Sequence, residues 1–191
     1  MRRTALAALI LLSSLFQLSC QRKSELPVLF TVPAETLTDD SGRARPLAEF
    51  HQSAAVYAFI FTRCAGVCPT MMEAMKALAS EVPADSSVRY VLISVDPSYD
   101  TPEVLRAYRQ KHGAGDRWVF LTGTRELISK LSIEGFKLAA PKDGGAPNEP
   151  IVHSTKFVLV DKAGQIRAYY DSFDAEQIEL LRENLVALAK E

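Results

Sequence analysis

The sequence lacks several things, and each shortage excludes something. Neither sign of charge is in excess: 22 Lys and Arg face 23 Asp and Glu, for a formal net charge of −1. No basic field is present to hold nucleic acid, and no acidic run to act as a solvating tail. There is no internal repeat and no low-complexity block. Cysteine and histidine are scarce, with three of each in 191 residues. Any thiol or metal chemistry must therefore draw on very few positions. What is plentiful is apolar content, 48% of the chain, enough for one domain with a sizeable core.

The N-terminus reads as a targeting segment. Met1-Arg2-Arg3 is a short positive region, and Thr4–Leu18 is uncharged and rich in Ala and Leu. Its apolar part is near the upper length of a signal core and short of the roughly 20 residues that span a bilayer. It ends in Leu18-Ser19-Cys20, which resembles a bacterial lipoprotein signal with Cys20 as the lipidated first residue. Gln17 departs from the aliphatic residue usual three positions before that cysteine. An uncleaved anchor and ordinary secretion are the alternatives. Residues 1–19 thus read as the signal, 20–27 as a short tether and 28–191 as one domain. Removing the signal takes away two arginines and no acid, leaving a charge of −3. Export places the remaining thiols in an oxidising compartment, where a thiolate ligand must be kept reduced.

Element patterns follow from periodicity. Thr31–Thr38 reads as a short strand pair, closed by the turn Asp39-Asp40-Ser41-Gly42. Ala54–Phe61 and Val88–Val95 are apolar runs suited to strands buried on both faces. Met71, Met72, Met75, Leu78 and Ala79 follow helical spacing behind Pro69, which suits a first helical turn. Thr101-Pro102 opens a second helix with a cap and an N1 proline. Trp118–Leu121 is a strand and Thr124–Ser132 a helix. Pro141–Pro150 reads as a loop. Phe157–Val160 and Ile166–Tyr170 form a hairpin, and Ile178, Leu181, Leu185 and Leu188 mark a closing helix. The expected fold is α/β: a thioredoxin-like three-layer sandwich with a central mixed sheet and a C-terminal hairpin plus helix. Right-handed crossover puts the segment after Ala54–Phe61 at the carboxyl edge of the sheet.

That segment is TRCAGVCPT, Thr62–Thr70. Cys64 and Cys68 stand four apart, with a helix N-terminus at the second that favours thiolate over thiol. The spacing is one residue longer than Cys-x-x-Cys, and the extra residue makes room for an ion. Two sulfurs so placed can form a disulfide or share a metal. Two thiolates rarely complete a site, and the chain offers three histidines as candidates for a third ligand. His51 reads as a surface residue in a polar turn, and His112 as a helix C-terminal residue whose charge suits the dipole. His153 lies between the Gly/Pro-rich stretch and a strand, where it can overhang the cysteines. The residues alone leave it open as ligand or as a hydrogen-bonded loop histidine. Asp96 ends a strand on the same edge and reads as a turn residue, a second acceptor behind the site, a docking residue or a weak ligand. Asp100 reads as a turn or helix-start residue, and the methionines as core.

Four blocks in order resemble the Sco/SenC family of copper-binding, thioredoxin-fold assembly proteins. They are Phe61-Thr62-Arg63-Cys64 with Val67-Cys68-Pro69-Thr70; Ser94-Val95-Asp96-Pro97 with Asp100-Thr101-Pro102; Trp118-Val119-Phe120-Leu121-Thr122-Gly123; and His153-Ser154 with Leu159-Val160-Asp161 and Gly164. Ala65 stands where the family often has proline. The resemblance implies that Cys64, Cys68 and His153 bind copper, a set that suits Cu(I) and, with a further weak ligand, Cu(II). Zinc also accepts two Cys and one His. It further implies a membrane-anchored protein on the periplasmic side of a bacterial envelope. Its implied partners are the cytochrome c oxidase subunit carrying the copper A centre and a thiol reductant or other copper chaperone. Metal delivery of this kind needs no enzymatic turnover. The competing reading is an enzyme, an exported thiol–disulfide reductase using Cys64 and Cys68. A peroxidase built on Val67-Cys68-Pro69-Thr70 lacks the expected threonine, since Ala65 stands there. A structural disulfide would close too short a loop to stabilise much.

Overall fold

The computed structural model describes residues 25–146 and 149–191; the segment read as a signal and Cys20 lie outside them. Its strands are β1 (Phe30–Thr31), β2 (Thr36–Asp39), β3 (Ala44–Pro46), β4 (Ala54–Ile60), β5 (Val88–Ser94), β6 (Trp118–Thr122), β7 (Lys142–Ala146), β8 (Glu149–Val152), β9 (Lys156–Val160) and β10 (Gln165–Asp171). Its helices are α1 (Val67–Glu81), α2 (Pro102–Lys111), α3 (Arg125–Lys130) and α4 (Ala175–Lys190).

β4, β5 and β6 are parallel neighbours at the middle of an eight-stranded mixed sheet of order β1-β10-β9-β4-β5-β6-β2-β3. All seven residues of β4 are buried, because helices cover both faces and leave no side for polar residues. The architecture is the thioredoxin-like sandwich, with the hairpin β9–β10 and α4 closing it. α1, α2 and α4 share one face. The segment after α3 covers the other, where Phe136 packs on Tyr57 and Phe59 at ring distances of 5.1 and 5.4 Å. Met71, Met72 and Met75 of α1 are each at most 1% exposed, so the methionines are core. Each such side chain contributes on the order of 1.5–3 kcal/mol.

Local chemistry sets the helix starts. Thr101 Oγ1 accepts from the Val104 N–H, Thr124 Oγ1 from Leu127, and Asp174 from Glu176 and Gln177. These three caps and Gly66, which precedes α1, all lie at the edge where β4, β5 and β6 end. That edge is where the cysteines are.

Four sequence expectations need correction. Thr31–Thr38 is not a strand pair: β1 pairs with β10 at one side of the sheet, while β2 pairs with β3 and β6 at the other. The intervening residues cross the molecule. Pro141–Pro150 is not a loop. Lys142–Ala146 and Glu149–Val152 form an antiparallel hairpin, with an irregularity between Asp143 and Ala146 that takes up Gly144 at φ +106°. The ladder needs only backbone, so a composition rich in Gly does not forbid it. The helix from Thr124 ends at Lys130 and continues as a π-helical turn over Leu131–Gly135. His51 is not a plain surface residue. It is half-buried with Nε2 enclosed, and its ring lies over Gly164, where a Cβ would come within 2.2 Å of Nε2.

Candidate metal centre

Beyond β4 the chain turns sharply, with the Cys64 N–H donating to the Phe61 carbonyl, and then enters α1. Gly66 adopts φ −96°, ψ −106° and lets the loop bend into the helix. Cys68 falls in the first turn of α1 and is wholly buried; Cys64 is 7% exposed. No disulfide joins them. The Cys68 N–H, in the first turn of the helix, donates to Cys64 Sγ at 3.5 Å. A thiolate on Cys64 is thus met by a backbone donor.

His153 follows β8 directly and is 8% exposed. Its Nε2 stands 3.3 Å from Cys68 Sγ, and its Nδ1 lies 2.9 Å from the Ser154 carbonyl. A carbonyl oxygen only accepts, so Nδ1 carries the proton. In the neutral ring Nε2 is then the lone-pair nitrogen, and it faces the sulfur. The ring is held edge-on by Phe61 at 5.6 Å. The structure therefore brings His153 to Cys68, and Cys68 to Cys64. Among the described residues, no three His, Cys, Asp or Glu side chains already stand close enough together to hold an ion.

Two buried carboxylates lie behind the loop. Asp96 accepts from Arg63 Nε at 2.6 Å and Ser98 Oγ at 3.0 Å, while its backbone carbonyl closes the turn to Tyr99 and Asp100. It is both turn residue and partner of the residue preceding Cys64. The Arg63 guanidinium lies over the Tyr99 ring at 5.0 Å. Asp100 is more than the helix-start residue expected. Its carboxylate is fully buried and accepts from the Thr62 N–H at 3.1 Å, Thr62 Oγ1 at 2.5 Å and Ser94 Oγ at 2.5 Å. Burial pushes its pKa above the usual carboxylate range, against the pull of those hydrogen bonds. Asp100 therefore pins Thr62, two residues before Cys64, to the end of β5. The signal for it is topological: Thr62 lies two residues past β4 and Asp100 six past β5, and the two strands are adjacent and parallel.

Tyr108 of α2 approaches from beneath, and burial, followed by the charges of Cys68 and Cys64, raises its phenol pKa. The neighbouring His112 departs from expectation. Burial, then Lys111 and Lys76, lower its pKa, so it does not favour the charged form that would complement the helix end.

The SCO1/SenC family model matches residues 31–189. A putative copper-binding protein of Stutzerimonas stutzeri is 32% identical over 113 residues, 58% of this chain and 54% of that one. The chain thus spans about half the length of that relative. The crystal structure of a SCO1/SenC family lipoprotein from Bacillus anthracis is 28% identical and superposes with a TM-score of 0.79 over 87% of this chain and 99% of that one. The structure of BsSco, described as a member of the Sco family of cytochrome c oxidase assembly proteins with a disulfide switch, is 25% identical. Its TM-score is 0.73, over 86% of this chain and 97% of that one. With its fold, its cysteine loop and nearly the whole described chain matched, this protein belongs to the SCO1/SenC family.

Proposed function

We propose that this chain binds copper through Cys64, Cys68 and His153 and assists assembly of the copper A centre of cytochrome c oxidase. It works from a membrane-anchored position on the periplasmic side of a bacterial envelope, with residues 1–19 as export signal and Cys20 as the lipidated residue. The observation that carries this reading is the 3.3 Å approach of His153 Nε2 to Cys68 Sγ, with Nδ1 held on the Ser154 carbonyl. Two thiolates and a neutral imidazole suit a soft, low-coordinate ion such as Cu(I). The cysteine loop and His153 must draw closer than they stand to close on it. The relative named for copper binding and the lipoprotein of the same fold support the reading. Among the described residues no helix is long and apolar enough to cross a membrane.

Titrating the reduced chain with Cu(I) against a competing chelator tests it. One tight equivalent is expected, markedly weakened in His153→Ala. Unchanged affinity in that variant would remove His153 from the ligand set.

A second reading, thiol–disulfide exchange by Cys64 and Cys68, is favoured by their unbridged state at a helix start. Disulfide reduction by metal-free protein that persists in His153→Ala would establish it. The two readings are linked, because copper binding needs both cysteines reduced.

A further inference from the structure

The chain's entry into the fold is fixed, and it points one way. Arg167 of β10 is 5% exposed, and its guanidinium spans three acceptors. Nη1 donates to Asp161 at 2.8 Å, Nε to the Pro27 carbonyl at 3.0 Å, and Nη2 to the Leu26 carbonyl. The Leu29 N–H adds a bond to the Ile166 carbonyl. The end of the tether is therefore stapled to β10 rather than loose.

The direction follows from register. β1 is antiparallel to β10, with Phe30 opposite Ile166 and Thr31 opposite Gln165. Reading back from Phe30 to Glu25 therefore runs along β10 toward its C-terminal end. Glu25 and Leu26 accordingly share a groove with Ala168, Tyr169 and Tyr170. Asp171, at that end, lies opposite Lys156, just after His153-Ser154-Thr155. The tether thus leaves the domain at the edge that carries the cysteines and His153. β1 is three places from β4 in the sheet, so the exit is displaced sideways by about 15 Å.

The same edge exposes apolar side chains. Tyr99 (49% exposed) lies between β5 and α2, Val152 (54%) just before His153, and Phe173 (51%) between β10 and α4. They flank the site on both sides. Aromatic and aliphatic side chains set at one level of a surface suit the headgroup region of a bilayer.

We propose that the edge bearing Cys64, Cys68 and His153 faces the phospholipid surface to which the chain is anchored, with Tyr99, Val152 and Phe173 against the headgroups. This rests on the reading of residues 1–20 as export signal and anchor. Four residues, Gln21–Ser24, separate Cys20 from Glu25, and the five steps between them reach at most about 17 Å. So short a connection leaving at the site's own edge keeps the site close to the bilayer. The acceptor it serves is then a protein held in the same membrane, with its receiving site near the lipid surface.

The single tryptophan makes this measurable. Trp118 begins β6, at the opposite edge, and is 7% exposed. Two variants, Phe173→Trp and Tyr99→Trp, each with Trp118→Phe, move the fluorophore to the proposed contact. The full lipidated chain is placed in phosphatidylcholine vesicles containing a headgroup nitroxide lipid. Trp118 of the parent chain is expected to be unaffected, and the moved tryptophans quenched at least twofold. Inserting twenty Gly and Ser residues between Gln21 and Arg22 is expected to abolish that quenching while the chain still floats with the vesicles. Equal quenching at Trp118 and the moved positions, or no quenching at the moved positions, overturns the orientation; selective quenching that survives the insertion supports it and assigns it to the apolar contacts rather than to the short tether. A parent chain that fails to float overturns the anchor reading beneath it, and with it the proposal.

Discussion

Cys68 Sγ and His153 Nε2 meet at 3.3 Å across 85 positions of sequence. The sulfur comes from the first turn of α1, and the nitrogen from the residue after the small hairpin β7–β8, whose strands take no part in the main sheet. His153→Ala is therefore expected to leave the fold intact and lower Cu(I) affinity by roughly 100-fold, about 2.7 kcal/mol. Chelator competition measures the affinity, and circular dichroism with thermal melting checks the fold. A melting temperature that collapses together with affinity would show that His153 holds the structure rather than the metal.

Asp100 is the anchor behind the cysteine loop. Asp100→Ala would strand the buried Ser94 Oγ and the half-buried Thr62 N–H and Thr62 Oγ1. The expected loss is about 2–4 kcal/mol in urea unfolding at neutral pH. Because burial raises the Asp100 pKa, the ionised group carries a cost there that a neutral amide does not. Asp100→Asn should lose clearly less than Asp100→Ala. Equal losses would mean that shape, not hydrogen bonding, is what the site requires.

Gly164 has two reasons to be glycine. It sits at φ +73°, and a Cβ there would come within 2.2 Å of His51 Nε2. Gly164→Ala is expected to cost roughly 2 kcal/mol or more from backbone strain and steric overlap together. The double variant with His51→Ala should recover the steric part and leave the strain, a coupling that chemical denaturation of all four proteins in the cycle can measure.

Asp39 supplies an acid-dependent contribution to stability. Burial works to raise its pKa, but hydrogen bonds from Ser41, Arg43 and Arg45 prevail and hold it well below the usual carboxylate range. A depressed folded-state pKa means that the contribution is present above the unfolded value of about 3.9 and is lost as pH falls beneath it. Urea unfolding at steps from about pH 6 to pH 2.5 should show stability falling through that window. Asp39→Asn should flatten the fall, and an unchanged slope would assign it to other carboxylates.

The parallel strands and the amphipathic helices were legible because burial on two faces, or on one stripe, leaves a period in the residues themselves. β4 and β5 read almost residue for residue. So did the cysteine loop, whose spacing and following proline are local facts. What escaped was set by distant partners. β1 and β2 are too short to show a period, and only their pairing with β10 and β6 defines them. β7–β8 is a ladder of backbone bonds beneath residues that usually break one. The buried role of Asp100 depends on Thr62 and Ser94 arriving from neighbouring strands. Nothing in the local sequence around His51 announces Gly164, more than a hundred residues away.

The pairing of β1 with β10 also bears on how the protein is made. Phe30 lies opposite Ile166, and the Leu26 and Pro27 carbonyls wait for Arg167. A chain delivered N-terminus first cannot secure its own beginning until its last strand has arrived. Contacts of such long sequence separation are slow to form, since the whole intervening loop must first be closed. The leading end of the polypeptide thus stays open until synthesis is almost finished.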